Sequence, residues 1–249
     1  MSIKQLIDYG YIPSGVRSYS EDDRNILVED AIKLFRLNMN APDGLSDEEL
    51  FNIPRCGEPD YPSIDAGSGS WPVGCNPDNP TVNSVRYYVN KSNMPSFLSE
   101  TFEASWDLMR KAYANVGLEI IRSNVVSNYN SLVTFERGRG WIGLAIVGRG
   151  QRCSTKMWAK FDTRYGSSFS VERLIHQWSY LLAHEIGHNC GLSHTRGGIM
   201  NASLINGTFN ENQWNIDTAY PTMKRWYGGS PIKDEAPIWS IPSPEQPRE

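Results

Sequence analysis

The chain has 249 residues, 39% of them hydrophobic, enough for one well-packed domain and a small second one. Its formal charge of −4 excludes a basic nucleic-acid-binding face and is too mild to imply a polycationic partner. No apolar run approaches the roughly 18 residues of a membrane span, and the start, Met1 to Gln5, lacks the apolar core of a signal peptide.

Residues 1 to about 53 read as a small bundle of three helices. Leu27, Ala31, Leu34 and Phe35 share one helical face, and Ser46 with Glu49 forms a capping box for a short helix through Leu50 and Phe51. A strip follows, Pro54-Arg55-Cys56-Gly57-Glu58-Pro59-Asp60, whose Pro and Gly residues hold it extended. Residues 61–80 are rich in Pro, Gly, Ser and Asn and read as an exposed linker open to cleavage.

The remainder alternates strands and helices. Strands are expected at Val85–Val89, Leu118–Ile121, Ser131–Phe135, Trp141–Val147 and Lys156–Phe161. Phe102, Trp106, Met109 and Tyr113 mark an amphipathic helix. A second long helix starts near Val171, with Leu174, Ile175, Trp178, Leu181 and Leu182 on its apolar face. A last helix is expected from Pro221 to about Trp226, and the Pro-rich tail from Gly229 is expected to be extended. The order fits an α+β fold, one twisted mixed sheet with a long helix before it and a second behind it.

The chemistry is concentrated in His184-Glu185-Ile186-Gly187-His188-Asn189-Cys190-Gly191-Leu192-Ser193-His194. His184 and His188 project from one helical face, one turn apart, and can share a zinc ion. On an unbroken helix His194 would lie roughly 15 Å along the axis from His184. Gly191 allows the left-handed turn that brings it back. Three imidazoles leave a fourth metal position open, the arrangement of a catalytic zinc. Glu185, beside that position, is placed to take a proton from water. Cys56 offers a thiolate, a soft zinc ligand, and the strip that carries it could lie across the cleft and fill the open position. Arg55 and Asp60 are a candidate ion pair holding the strip in shape.

The histidine string resembles the zinc signature of the metzincin peptidases. That resemblance implies a methionine turn beneath the metal, for which Met200 in Gly197-Gly198-Ile199-Met200 is the candidate. Pro54 to Asp60 resembles the cysteine switch of the matrix metalloproteinases, the matrixins, and Ile7-Asp8-Tyr9-Gly10-Tyr11 resembles the start of their propeptide. The implied organisation is a helical propeptide over 1–60, an activation linker over 61–80, a metallopeptidase domain over 81–228 and a tail over 229–249. The implied activity is that of a latent zinc endopeptidase acting on proteins or peptides. The latent site is His184, His188, His194 and Cys56 on one catalytic zinc with Glu185 as general base, released by an activating protease or by self-cleavage. The strand through Leu144, Ala145 and Ile146 is the candidate edge for an extended substrate.

Besides Glu58, which stands where the family's switch usually has Val or Asn, the chain departs from the matrixin pattern in three places. Lys160 stands before Phe161-Asp162 where the family has a histidine of its structural zinc site, so a single zinc is expected. Asp162 offers an oxygen for calcium, but Arg139 and Arg149 occupy loops where calcium needs carboxylates. Asn201-Ala202-Ser203 replaces the Tyr and Pro residues that shape the family's specificity pocket, so substrate preference is not legible. His176 reads as a packing or surface residue. Of the other cysteines, Cys75 and Cys153 allow a bridge that spacing does not establish, and Cys190 reads as a buried thiol. Matrixins are mostly secreted, while no signal is visible here, which leaves location open. Two rival readings remain: another metzincin processing peptidase, or a catalytically weak zinc- and peptide-binding protein in which Cys56 is incidental.

Overall fold

The computed structural model describes residues 3–39, 41, 43–60, 83–148, 156–195, 198–203 and 223. The linker over 61–80, Arg149, Cys75, Cys153, Gly197, the tail and all but Met223 of the expected last helix lie outside the described residues.

The N-terminal part holds three helices and a 3₁₀ turn: α1 (Ile3–Asp8), the turn Ser14–Ser18, α2 (Glu21–Asn38) and α3 (Asp47–Phe51). Ser20 begins α2 by accepting from the Asp23 amide, and Glu21, Asp22 and Asp23 place negative charge at the positive end of the helix dipole. The Ser46–Glu49 capping box forms with both reciprocal bonds. These elements bury Leu6, Ile12, Val16, Ala31, Phe35, Met39 and Leu50 in one cluster. Phe35 is its centre, stacked on Phe51 at 4.6 Å and meeting Tyr11 edge-on at 5.3 Å. Ala202, from the far end of the chain, belongs to the same cluster.

The second part is a five-stranded sheet in the order β2-β1-β3-β5-β4, from β1 (Ser84–Val89), β2 (Glu119–Ser123), β3 (Ser131–Glu136), β4 (Gly143–Ala145) and β5 (Met157–Asp162). All neighbours are parallel except β4, which runs antiparallel to β5 on the edge. Residues on one face are buried, among them Val85, Tyr87, Val89, Val133, Phe135, Met157, Ala159 and Phe161. The alternating residues Leu132, Thr134, Trp158 and Lys160 are only partly covered. That period of two shows one covered face.

Both long helices, α4 (Phe102–Asn115) and α5 (Val171–Asn189), share this core. They do not stand before and behind the sheet as the order of elements suggested. α4 is the crossover between parallel β1 and β2, and it packs on α5, with the Tyr113 hydroxyl donating to the Ala183 carbonyl at 2.6 Å. Trp178 from α5 fills the space over Phe135 and Phe161, at ring distances of 6.1 and 5.7 Å. Burial of each such side chain contributes on the order of 1.5–3 kcal/mol. The strand expected over Trp141–Val147 contracts to three residues, because only Gly143, Leu144 and Ala145 pair in register with β5. No helix among the described residues is long and apolar enough to cross a membrane.

Candidate metal centre

α5 starts at Ser170, whose hydroxyl accepts from the Arg173 amide, and ends at Cys190. Gly191 follows at φ 95°, in the left-handed region open to glycine. The Gly191 amide donates to the His188 carbonyl at 2.8 Å and the Leu192 amide to the Gly187 carbonyl at 3.0 Å, the paired bonds of a Schellman motif. The chain therefore reverses directly after the helix. His194 Nε2 comes within 3.2 Å of His188 Nε2, which is 3.1 Å from His184 Nε2.

Cys56 closes the cluster. Its sulfur lies 3.5 Å from His188 Nε2, and one donor atom from each of Cys56, His184, His188 and His194 lies within 4.8 Å of the others. The donor set fits zinc. Tetrahedral bonds of about 2.0–2.1 Å to nitrogen and about 2.3 Å to sulfur imply N···N separations of about 3.3–3.4 Å and S···N of about 3.6 Å. The three contacts of His188 Nε2, at 3.1, 3.2 and 3.5 Å, lie within a few tenths of an ångström of those figures, and the remaining pairs lie within 4.8 Å. His184 Nδ1 donates to the Ile199 carbonyl at 2.7 Å and His188 Nδ1 to the Leu192 carbonyl at 2.8 Å. A carbonyl only accepts, so each proton sits on Nδ1 and each Nε2 lone pair faces the centre.

Electrostatics keep the three rings neutral. Burial lowers all three imidazoles, His184 to about 3, with the neighbouring histidines adding to the shift in His184 and His188. Neutral imidazole is the form that binds a metal. Burial also raises the Cys56 thiol well above its usual value, and Glu185 raises it further. A divalent cation at the centre reverses this, since a coordinating thiol is deprotonated outright. Burial likewise lifts the Glu185 carboxyl well above the carboxylate range, against a lowering hydrogen bond from Cys56. Glu185 Oε2 lies 3.7 Å from the Cys56 sulfur, and its Oε1 is buried with no hydrogen-bond partner among the described residues.

Glycines make room for this arrangement. A Cβ at Gly143 would lie 2.2 Å from Glu185 Oε1, and one at Gly187 would lie 2.5 Å from the Met200 sulfur. Met200 is thus packed on the zinc helix between its two histidines. Gly143→Ala is expected to displace Glu185 and leave the imidazoles in place. Hydrolysis should fall by about 10²-fold, the cost of roughly 1 Å of misplacement, in a chain cut within residues 61–80, with zinc content unchanged. Loss of zinc along with activity would show that the helix itself had moved.

The strip is seated like a short strand. The Cys56 amide donates to the Ala202 carbonyl at 2.9 Å and the Gly57 amide to the Gly143 carbonyl at 2.8 Å, while the Arg55 carbonyl accepts from Ile142 at 2.9 Å. Cys56 thus pairs parallel to Gly143 on the free edge of β4, and Arg55 pairs antiparallel to Ser203. A Cβ at Gly57 would meet Trp141 and Leu144 at 3.0 Å, so the strip lies close on the edge. Arg55 is buried, its Nη2 2.8 Å from Asp60 Oδ1 and its Nη1 3.2 Å from Asp60 Oδ2. Tyr9 lies face-on to the Arg55 guanidinium at 3.6 Å, and the Tyr11 hydroxyl donates to Asp60 Oδ2. Burial would raise the Asp60 carboxyl, but contacts from His194, Arg55 and Tyr11 prevail and lower it to about 2.

Several of these residues carry no signal in the sequence. Asn201, Ala202 and Ser203 form the far wall of the strip's seat, and the Ser203 hydroxyl donates to the Met39 carbonyl at 3.0 Å. Asn189 is fully bonded beside the metal cluster. It accepts from Tyr87 and Ser131 and donates to the Ile146 and Trp158 carbonyls, tying the end of the zinc helix to the sheet. His176 does not enter the cluster. Asp162 is bound to Arg164 through both oxygens, at 3.1 and 2.8 Å, which leaves the candidate calcium oxygen paired with a guanidinium.

Residues 83–195 match the family model of the reprolysin-like metallopeptidases, family M12B. No curated protein matches the chain. Among solved structures, that of myroilysin is similar over 57% of this chain and 54% of its own, at 16% identity and a TM-score of 0.38. This chain thus spans about half of that one. The family match and the three-histidine, one-cysteine cluster support a metzincin-type zinc peptidase. The match is to the reprolysin-like group, not specifically to the matrixins.

Proposed function

We propose that the chain is a zinc endopeptidase made in latent form, with residues 1–60 as the inhibitory segment, 61–80 as the activation linker and 81–228 as the catalytic domain. The observation that carries the reading is the Cys56 sulfur among three imidazoles, delivered by a strip bonded to the sheet edge and to residues 201–203. His184, His188 and His194 would hold the zinc, which when bound polarises a peptide carbonyl and lowers the pKa of water. Glu185 takes the proton from that water and passes it to the leaving amine. The β4 edge that now bonds the strip is the edge an extended peptide would use once the strip has gone. Met200, packed against Gly187 of the zinc helix, is the candidate for the methionine turn. The matrixin-like switch is favoured over an incidental cysteine because the buried Arg55–Asp60 pair holds the strip in shape across the site.

Metal analysis should find about one zinc per chain, since one three-histidine cluster is present among the described residues. A chain cut within 61–80 should cleave members of a peptide library, read by mass spectrometry. A chelator should stop the cleavage and added zinc should restore it. No cut sites in the zinc-loaded, cleaved chain would leave a zinc- and peptide-binding protein as the better reading.

A further inference from the structure

Two of the three histidines are oriented by the catalytic part itself, through the Ile199 and Leu192 carbonyls. The third is not. His194 Nδ1 lies 2.8 Å from Asp60 Oδ1, a short contact although not a linear hydrogen bond, and both side chains are buried. Asp60 stands on the other side of the 61–80 linker in sequence and belongs to the same strip as Cys56.

We infer that Asp60 is the residue that positions His194 for the metal, so the N-terminal segment retains zinc through two residues: the Cys56 sulfur at the metal and the Asp60 carboxylate behind the third imidazole. The inference rests on the reading of the strip as seated on the zinc site. Asp60 is held for such a task. Its oxygens are fixed by Arg55 and by the Tyr11 hydroxyl, and its amide donates to the Tyr9 carbonyl at 3.1 Å. A buried Arg–Asp pair adds little stability by itself, because desolvation offsets the attraction. It does fix where the second carboxylate lone pair points. A carboxylate behind a metal-bound imidazole sets the ring's orientation and raises its basicity, and removing such a partner costs about 10–100-fold in metal affinity. Cutting the linker and losing the segment would therefore loosen the metal twice over.

Zinc affinity of the full-length chain, measured by chelator competition, tests this in a four-member cycle of wild type, Cys56→Ala, Asp60→Ala and the double variant. The expected result is a loss of about 10–100-fold from Asp60→Ala both with and without Cys56. If the loss vanishes in the Cys56→Ala background, Asp60 acts only by seating the sulfur and the inference is overturned. An unchanged affinity in both backgrounds overturns it as well. Should Cys56→Ala leave zinc affinity untouched while Asp60→Ala lowers it, the switch reading and the sulfur's share of the retention are overturned, while the positioning of His194 by Asp60 is upheld. Asp60→Asn keeps the size of the side chain and guards against misfolding. Loaded with cobalt, it should keep the sulfur-to-metal charge-transfer band while binding metal more weakly than wild type. Unchanged affinity with the band intact would refute the role.

Discussion

Glu185→Ala, in a chain cut within residues 61–80, should lose roughly 10²–10⁴-fold in peptide hydrolysis, the usual contribution of a general base, and still bind zinc. The geometry separates the two properties. The cluster of candidate ligand atoms comprises three Nε2 atoms and one sulfur, and Glu185 is not part of it. Its Oε2 is 3.7 Å from the Cys56 sulfur, so the carboxylate flanks the position that the sulfur now fills. A water placed there after the strip leaves would stand within reach of a base. Oε1, buried and without a partner among the described residues, is a further acceptor for that water or for the proton it gives up. Removing the carboxylate takes away the base and leaves every imidazole in place. His188→Ala is the contrast: it deletes the nitrogen that lies 3.1 and 3.2 Å from its two neighbours and should lose zinc and activity together. Kinetics and metal content measured on the same samples decide it. Near-normal turnover in Glu185→Ala would remove Glu185 from the mechanism.

What could be read in the sequence was local. The helix reversal at Gly191 follows from one residue's freedom at positive φ, and the Ser46–Glu49 box follows from two residues three apart. The α+β class follows from the alternation of short period-two runs with two long amphipathic segments, and the structure has that class. What escaped was set by contacts between distant segments. Nothing around Asp60 announces that it meets His194, 134 positions away. The wall at Asn201, Ala202 and Ser203 shows only as a departure from a familiar pattern, because its part in the seat consists of backbone bonds to residues 55 and 56. Gly143 looks like any glycine in an apolar run until the Glu185 carboxylate is placed against it. The strand over Trp141–Val147 was overestimated for a related reason. Apolar residues continue past Ala145, and the Ile146 amide still donates to the Trp158 carbonyl of β5, but the Gly148 amide just past the expected end turns to the His188 carbonyl of the zinc helix, and near the other end the Ile142 amide goes to the Arg55 carbonyl of the strip.

Cys56→Ser should make the uncut chain active. The thiol is buried with its sulfur 3.5 Å from His188 Nε2, and on the proposed reading that is the position catalysis needs for water. Thiolate suits zinc far better than a neutral hydroxyl does, so serine removes the anchoring bond and leaves the backbone seat. That seat alone is modest: two amides of the strip donate, to Ala202 and Gly143, and one carbonyl accepts from Ile142, each bond worth about 0.5–1.5 kcal/mol net. For a strip closed about 99% of the time, about 1% of the chains would be competent, and opening it fully would raise the rate about 100-fold. That is the expected gain for Cys56→Ser over wild type, approaching the rate of a chain starting near Thr81. Breaking the Arg55–Asp60 pair at Arg55 should give partial leakage, since the pair shapes the strip and does not occupy the metal position. Hydrolysis of a broad peptide substrate by wild type, Cys56→Ser and the shortened chain settles the order. Equal rates for all three would make Cys56 an ordinary loop residue and end the latency reading, while the three-histidine zinc assignment would survive.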